Sequence, residues 1–237
     1  MHYGIIAAGE GSRLVQEGVS RPKPLVEIEG CPMIERLIRI FGECGAESVS
    51  VIVNEEMKEV AQFLKDLAAR LPFPLNLKIK STPSSMHSFY ELASLMRGKG
   101  RFILTTVDTI FRRGEFAAYV DAFAGAPADV DGMMAVTGFV DDEKPLYVAA
   151  DEEMNIDAFL DNPAPAAKYV SGGIYGLDEG AIGILEDCIT GGVSRMRNYQ
   201  RALIAGGERL KAYVFDKIID VDHAGDIEKA DRFVSEK

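Results

Sequence analysis

AAGEGSRL, residues Ala7 to Leu14, decides how this chain folds. It overlaps the end of Tyr3-Gly4-Ile5-Ile6-Ala7-Ala8, a short apolar run that reads as a buried strand. A glycine-rich loop leaving the carboxyl end of such a strand opens the crevice where α/β sheets bind ligands. Its backbone N–H groups can cradle phosphate oxygens. The expectation is an α/β protein that holds a phosphate-bearing ligand at this loop.

Spacing weakens one familiar phosphate loop and excludes another. The dinucleotide fingerprint G-x-G-x-x-G needs a third glycine where Leu14 stands. The pattern G-x-x-x-x-G-K-[ST], started at Gly4, puts Glu10 at the lysine position, where it would repel the phosphates. What remains is Gly9-Glu10-Gly11-Ser12-Arg13, followed by Pro22-Lys23-Pro24. Each proline fixes its own φ and biases the residue before it away from helix, so Lys23 is expected in extended backbone at a defined place. A solitary lysine is usually a solvated charge. Two glycines, two cations and two prolines in one loop favour a phosphate site instead.

Residues 5–35, IIAAGEGSRLVQEGVSRPKPLVEIEGCPMIE, resemble the amino-terminal signature of the NDP-sugar pyrophosphorylases. These sugar-1-phosphate nucleotidylyltransferases join a nucleoside triphosphate to a sugar 1-phosphate or similar acceptor and release pyrophosphate. The resemblance implies that Ala8, Gly9, Gly11 and Ser12 wrap the triphosphate. It assigns Arg13 and Lys23 to the reacting phosphates, and it implies a Mg2+ cofactor.

The rest of the chain alternates strand and helix patterns: strands at 48–53, 75–79, 101–111, 133–138, 169–177 and 212–215, helices near 33–44, 55–71, 89–96, 116–123, 181 and 199. This predicts one Rossmann-like, three-layer α/β/α domain over residues 1–237 with a mixed, mostly parallel central sheet. STPSSMHS (81–88) interrupts the pattern before a helix. By resemblance Ser84, Ser85 and Ser88 touch base and ribose, while helix capping explains at least one of them equally well.

The apolar strand RFILTTVDTIF carries one carboxylate, Asp108, which a strand end would place in the ligand crevice, where Mg2+ takes oxygen ligands from carboxylates and phosphates. The family's usual preceding glycine is Val107 here. Near the carboxyl end, IIDVDHAGDIEKA resembles the family's closing metal motif, with Asp220 the nearest match, Asp222 two residues on, and Asp226 reading as a helix cap. Asp108 and Asp220 are expected to end parallel neighbouring strands.

The acceptor side matches less well. Asp161-Asn162-Pro163 stands where the family has Glu-Lys-Pro, so Lys168 is expected to supply the missing charge. YVSGGIYGL (169–177) resembles the acceptor strand, with Ser171 for asparagine and the pair Gly172-Gly173 marking close ligand approach or a bulge. The acceptor is therefore expected to be unusual, for example phosphocholine or another small phosphate ester.

Charge and composition narrow the classes further. Lys and Arg number 26 against 37 Asp and Glu, a net charge of −11 that opposes binding to nucleic acid or an anionic membrane. No apolar run approaches the ~18 residues of a spanning helix. The three cysteines form no C-x-x-C pair, and Met1 leads straight into a strand without a signal-peptide pattern. A cytoplasmic enzyme is expected, with the oligomeric state undetermined. Two rivals stay open: a metal-dependent glycosyltransferase, which would want an Asp-x-Asp near mid-chain, and a nucleotide sensor without turnover.

Overall fold

The computed structural model describes residues 1–236. Strand β1 (His2–Ala7) leads into the short helix α1 (Ser12–Gln16), a 3-10 turn (Lys23–Leu25), the hairpin β2 (Glu27–Ile28) and β3 (Cys31–Pro32), and helix α2 (Met33–Glu43). Next come β4 (Ser48–Val53), α3 (Lys58–Ala68), β5 (Leu75–Ile79), α4 (Ser85–Ala93), β6 (Phe102–Thr106), β7 (Thr109–Ile110) and α5 (Arg113–Ala124). The second half runs β8 (Gly132–Thr137), β9 (Tyr147–Ala150), β10 (Ile156–Leu160), β11 (Tyr169–Leu177), α6 (Gly180–Thr190) and α7 (Met196–Ala205). It closes with β12 (Leu210–Phe215), β13 (Ile219–Asp220) and α8 (Ala224–Ser235).

Nine strands form one mixed, mostly parallel sheet along the path β10-β9-β11-β6-β1-β4-β5, with β8 joining β11 to β12. The β1, β4, β5 and β6 pairings are all parallel, and β11 turns antiparallel against β6. Alternation along β1 builds the layers. Tyr3, Ile5 and Ala7 pack with Phe41, Val60, Leu64 and Phe116 from α2, α3 and α5. Ile6 packs on the other face with Phe89, Leu92, Tyr199 and Leu185 from α4, α6 and α7. Each large side chain removed from water in this way contributes roughly 1.5–3 kcal/mol. Among the described residues no helix is long and apolar enough to cross a membrane.

Three details differ from the sequence reading, and all three shape the site. The expected strand over 101–111 is two strands: β6 stops at Thr106 and the chain turns through Val107 and Asp108 before β7. A hydrogen bond between Thr106 Oγ1 and Thr109 Oγ1 (2.7 Å) closes that turn. Asp220 does not end a parallel neighbour of β6. Its strand β13 pairs antiparallel with β7, Asp220 opposite Thr109, in a two-stranded ribbon outside the main sheet. A third apolar cluster, Ile28, Ile110, Ile219, Val221 and Phe233, pins that ribbon beneath α8. Lys23, finally, is not extended but begins a 3-10 turn.

Candidate active site

Sheet topology places three loops together, because the carboxyl ends of β1, β5 and β6 lie at one edge of parallel strands. The loop after β1 brings Gly9 to Arg13. Gly11 has φ +63°, the left-handed region that favours glycine, and a Cβ there would lie 2.9 Å from the Lys23 Cβ. Glycine thus serves both the turn and the close approach of Lys23.

Lys23 is held by backbone as well as charge. Pro22 is extended at φ −53°, ψ 137°, and Pro24 sits inside the first turn of the 3-10 helix, where a missing N–H leaves no partner unsatisfied. The lysine is 8% exposed. Its ammonium donates to Asp108 Oδ2 at 2.6 Å and to Asp222 Oδ1 at 2.7 Å. Arg13 donates to the other oxygen of Asp222 at 2.8 Å. Burial alone would lower the Lys23 pKa, but the charges of Asp108 and Asp222 outweigh it and hold the pKa above the ordinary lysine value. Burial likewise pushes the Asp108 carboxyl up, and the Lys23 charge overcomes this, leaving it below the usual carboxylate range.

Asp220 is left out of this pairing. It has no basic partner within ion-pair distance among the described residues. Its side chain is open to solvent, yet partial loss of hydration, then the charges of Asp108, Asp222 and Asp142, push its pKa well above the carboxylate range. Three carboxylates therefore face two cations, a donor set of hard oxygens with surplus negative charge that fits Mg2+. Asp226 is the helix cap that the sequence suggested: its carboxylate accepts the His223 N–H at 2.8 Å and the Asp222 N–H at 3.2 Å. A tighter acidic triad, Asp131, Asp178 and Glu208, lies at the opposite end of the sheet, tied by Arg209.

A cavity of about 580 Å3 opens over the glycine loop, bounded by Gly9, Arg13, Lys23, Ser84, Ser88 and Asp108. Ala8, Gly11, Ser12, Ser85 and Asp222 complete the set of nucleotide-side candidates in it. Ser84 is an N-cap, its Oγ accepting the His87 N–H of α4. Ser88 is buried and bonded to Thr82 at 2.6 Å. Sequence reasoning missed Asn54, which directly follows β4, accepts from Ser81 at 2.9 Å and donates to the Ala8 carbonyl at 3.4 Å, joining two cleft loops. A polar residue closing SVSVIV was its signal.

A second cavity, about 270 Å3, adjoins the first and shares Arg13 and Asp222 with it. Ser171 and Gly172 line it, at a break in the β11 register between Ser171 and Tyr175. Gly173 has φ +72°, and a Cβ added there would lie 2.9 Å from Thr109 Oγ1, so the pair forms a bulge packed on the β7 turn. The other acceptor-side candidates lie elsewhere. Lys168 is exposed and lines neither cavity. Asp161 points to a third cavity, clamped by Arg197 at 2.7 Å and Arg201 at 2.8 Å. The α7 arginines, unnoticed in the sequence, pair with Asp161 in that third cavity.

Comparison with known proteins places this geometry among relatives. The pattern of the MobA-like NTP transferase domain matches residues 4–154. The bifunctional protein GlmU of Methanococcus maripaludis is 27% identical over 188 residues, 77% of this chain and 41% of that protein. The 2-aminoethylphosphonate cytidylyltransferase of Lancefieldella rimae is 39% identical over 103 residues, 42% of this chain and 39% of that protein. The chain thus spans about half or less of the curated relatives' length. The inositol-1-phosphate CTP transferase of T. maritima superposes with a TM-score of 0.79 at 16% identity, over 98% of this chain and 97% of that one, a likeness of fold.

Proposed function

The chain belongs to the MobA-like NTP transferase family, and from that premise we propose that it transfers a nucleoside monophosphate from an NTP to a small phosphorylated acceptor, releasing pyrophosphate. The carrying observation is the buried Lys23 ammonium, fixed between Asp108 and Asp222 beneath the glycine loop. Relatives named for sugar-phosphate and phosphonate substrates support an acceptor of this kind.

An oxygen of the acceptor phosphate attacks the α-phosphorus in line. The new P–O bond forms as the bond from the α-phosphorus to the α,β-bridging oxygen breaks, and its electron pair leaves with pyrophosphate. No proton transfer or protein nucleophile is required, since the attacking phosphate is already ionised. Catalysis then rests on positioning and on neutralising charge. Arg13 and the N–H groups of the glycine loop hold the leaving pyrophosphate. Lys23 holds the α-phosphate and the incoming oxygen.

Members of this family typically depend on a divalent metal. Asp108 and Asp220, with Asp222 beside them, are the residues that would hold Mg2+ here, and the ion would add Lewis-acid neutralisation of the phosphate charge. The metal-independent part of the work, orienting Lys23, falls to Asp108 and Asp222 themselves.

A screen of pyrophosphate release with four NTPs against phosphorylated sugars and alcohols tests the reading. Turnover that requires both an NTP and a phosphorylated acceptor is the expected result. Transfer of a sugar from a finished NDP-sugar, without pyrophosphate, would establish the glycosyltransferase alternative instead.

A further inference from the structure

Thr109 joins three segments that are far apart in the chain, and it lines neither of the two adjoining cavities. It directly follows Asp108 and stands opposite Asp220 in the β7–β13 pairing. It also meets the β11 bulge, where a Cβ on Gly173 would lie 2.9 Å from Thr109 Oγ1 and 3.4 Å from Thr106 Oγ1. A Cβ on the neighbouring Gly172 would overlap Ile218, the residue that leads into β13. One bulge thus packs on both halves of the carboxylate ribbon. Backbone sets the frame there: the Val221 N–H donates to the Asp108 carbonyl at 3.1 Å, tying the residue between Asp220 and Asp222 to Asp108. Backbone bonds do not choose the rotamer of the Asp108 side chain, whose Oδ2 accepts from the Lys23 ammonium.

The direction of one hydrogen bond bears on that rotamer. Thr109 is fully buried, and its hydroxyl has one partner among the described residues, Thr106 Oγ1 at 2.7 Å. A hydroxyl carries a single proton. If Thr106 gave its proton to Thr109, the Thr109 proton would be buried without an acceptor, which costs more than the bond returns. Thr109 therefore donates and Thr106 accepts, leaving the Thr106 proton free for a second partner. Thr106 is half-buried and lines the nucleotide cavity beside Asp108. Burial pushes the Asp108 carboxyl up, and after the charge and hydrogen bond of Lys23 the next group holding it down is the Thr106 hydroxyl. The donors run from Thr109 to Thr106 to Asp108, and the carboxylate at the end of that chain holds Lys23.

We propose that Thr109 is a positioning residue for nucleotidyl transfer: by donating to Thr106 it turns the Thr106 hydroxyl toward Asp108, and so fixes the carboxylate that holds the Lys23 ammonium in place. This rests on the nucleotidyl-transfer reading and adds to it a residue outside both cavities.

The test uses the full chain and the variants Thr109→Val, Thr109→Ser, Thr106→Val and Thr106→Val/Thr109→Val. Pyrophosphate release is followed with Mg2+, each of the four NTPs, and glucose 1-phosphate, inositol 1-phosphate and phosphocholine as acceptors. Thr109→Val is expected to lose about 10-fold in kcat with both KM values nearly unchanged, and Thr109→Ser to keep wild-type turnover. The double variant is expected to match Thr106→Val in kcat, both well below wild type, since Thr109 acts through Thr106. Its melting temperature is expected to return toward wild type, because two apolar groups replace a buried polar pair, and a purely structural role would restore turnover with it. The readout without substrate is the Lys23 ammonium resonance in 1H–15N spectra, identified by its loss in Lys23→Arg. It should weaken through faster exchange with water in Thr109→Val and stay in Thr109→Ser. Should Thr109→Val not fold alone, the double variant and Thr106→Val make the same comparison. Unchanged kcat or an unchanged ammonium resonance in Thr109→Val, additive losses in the double variant, or turnover restored along with its melting temperature overturns the inference while leaving nucleotidyl transfer standing. Absence of pyrophosphate release with every NTP and acceptor sinks the transfer reading, and this inference with it.

Discussion

The Lys23 ammonium sits 2.6 Å from the Asp108 carboxylate although 85 residues separate them in the chain. The pair is the hinge of the site's electrostatics, since Asp222 takes the same ammonium and Arg13 takes Asp222. Removing Lys23 therefore does two things at once. Lys23→Ala should cost about 10²–10³ in turnover through lost stabilisation of the transferring phosphoryl group. It should also leave Asp108 unpaired, so unfolding temperature is expected to fall at pH 8 and to recover as pH drops toward 5. Circular dichroism melts at the two pH values check this; equal melting with wild type at pH 8 contradicts the pairing.

In chelator Asp220 and Asp108 of the wild-type chain pull stability in opposite directions with pH. Although the Asp220 side chain reaches solvent, its folded pKa is raised by loss of hydration and by the charges of Asp108, Asp222 and Asp142. Above the unfolded carboxylate pKa of about 4 the unfolded chain has lost the proton that the native state keeps, so stability falls as pH rises toward the folded pKa. Asp108, with its pKa lowered, instead contributes stability above that unfolded pKa that is lost as pH falls. Asp220→Asn should consequently melt no lower than wild type at pH 8 in chelator, while being inactive with Mg2+. A lower melting temperature for the variant would show that Asp220 is stabilised where it stands.

Gly11 and Gly9 separate backbone need from mere composition. Gly11→Ala meets both a φ of +63° and the Lys23 Cβ at 2.9 Å, so it should destabilise by at least about 1–2 kcal/mol and displace Lys23. Gly9 has nothing within 4 Å of its added Cβ. Gly9→Ala should leave the melting temperature unchanged within error and change only nucleotide affinity. Equal destabilisation by the two variants would deny that the loop packs on Lys23.

Much of the cavity proposed for the nucleotide was legible because its residues are close in sequence. Gly9, Gly11, Arg13 and Lys23 belong to one loop, and Ser84, Ser85 and Ser88 open one helix, so local chemistry points to them and one cavity gathers them. The turn of β6 into β7 was not legible, since Thr106 and Thr109 are good strand formers and only their mutual hydrogen bond reveals the bend. Nor does spacing disclose that Asp222 meets Arg13 and Lys23, partners 209 and 199 residues away. On the acceptor side a missing lysine suggested Lys168 by proximity in sequence. The tertiary fold leaves Lys168 exposed and off both cavities, and pairs Asp161 with Arg197 and Arg201 from α7, contacts no pattern in the 161–168 loop could signal.

Glu17 and His223 tie the end of α1 to the start of α8, Glu17 also accepting the Ala224 N–H at 2.6 Å. The hydrogen bond to Glu17 raises the His223 pKa above its usual value. Its contribution to stability is thus full below an unfolded value of about 6.5 and lost as pH rises through the folded pKa. Glu17→Gln should bring the His223 titration, followed by NMR, back toward the ordinary histidine range. Because α1 carries Arg13, the NTP KM should rise as well; an unmoved histidine titration would break the link.

The central claim is bond formation between an NTP's α-phosphorus and an acceptor phosphate, and phosphorus NMR of the reaction mixture tests it most directly. With Mg2+, one NTP and its acceptor, new phosphoanhydride resonances should grow in step with an equal amount of pyrophosphate, and neither should appear in Lys23→Ala on the same time scale. Pyrophosphate without the new anhydride, or both signals undiminished in Lys23→Ala, would contradict it.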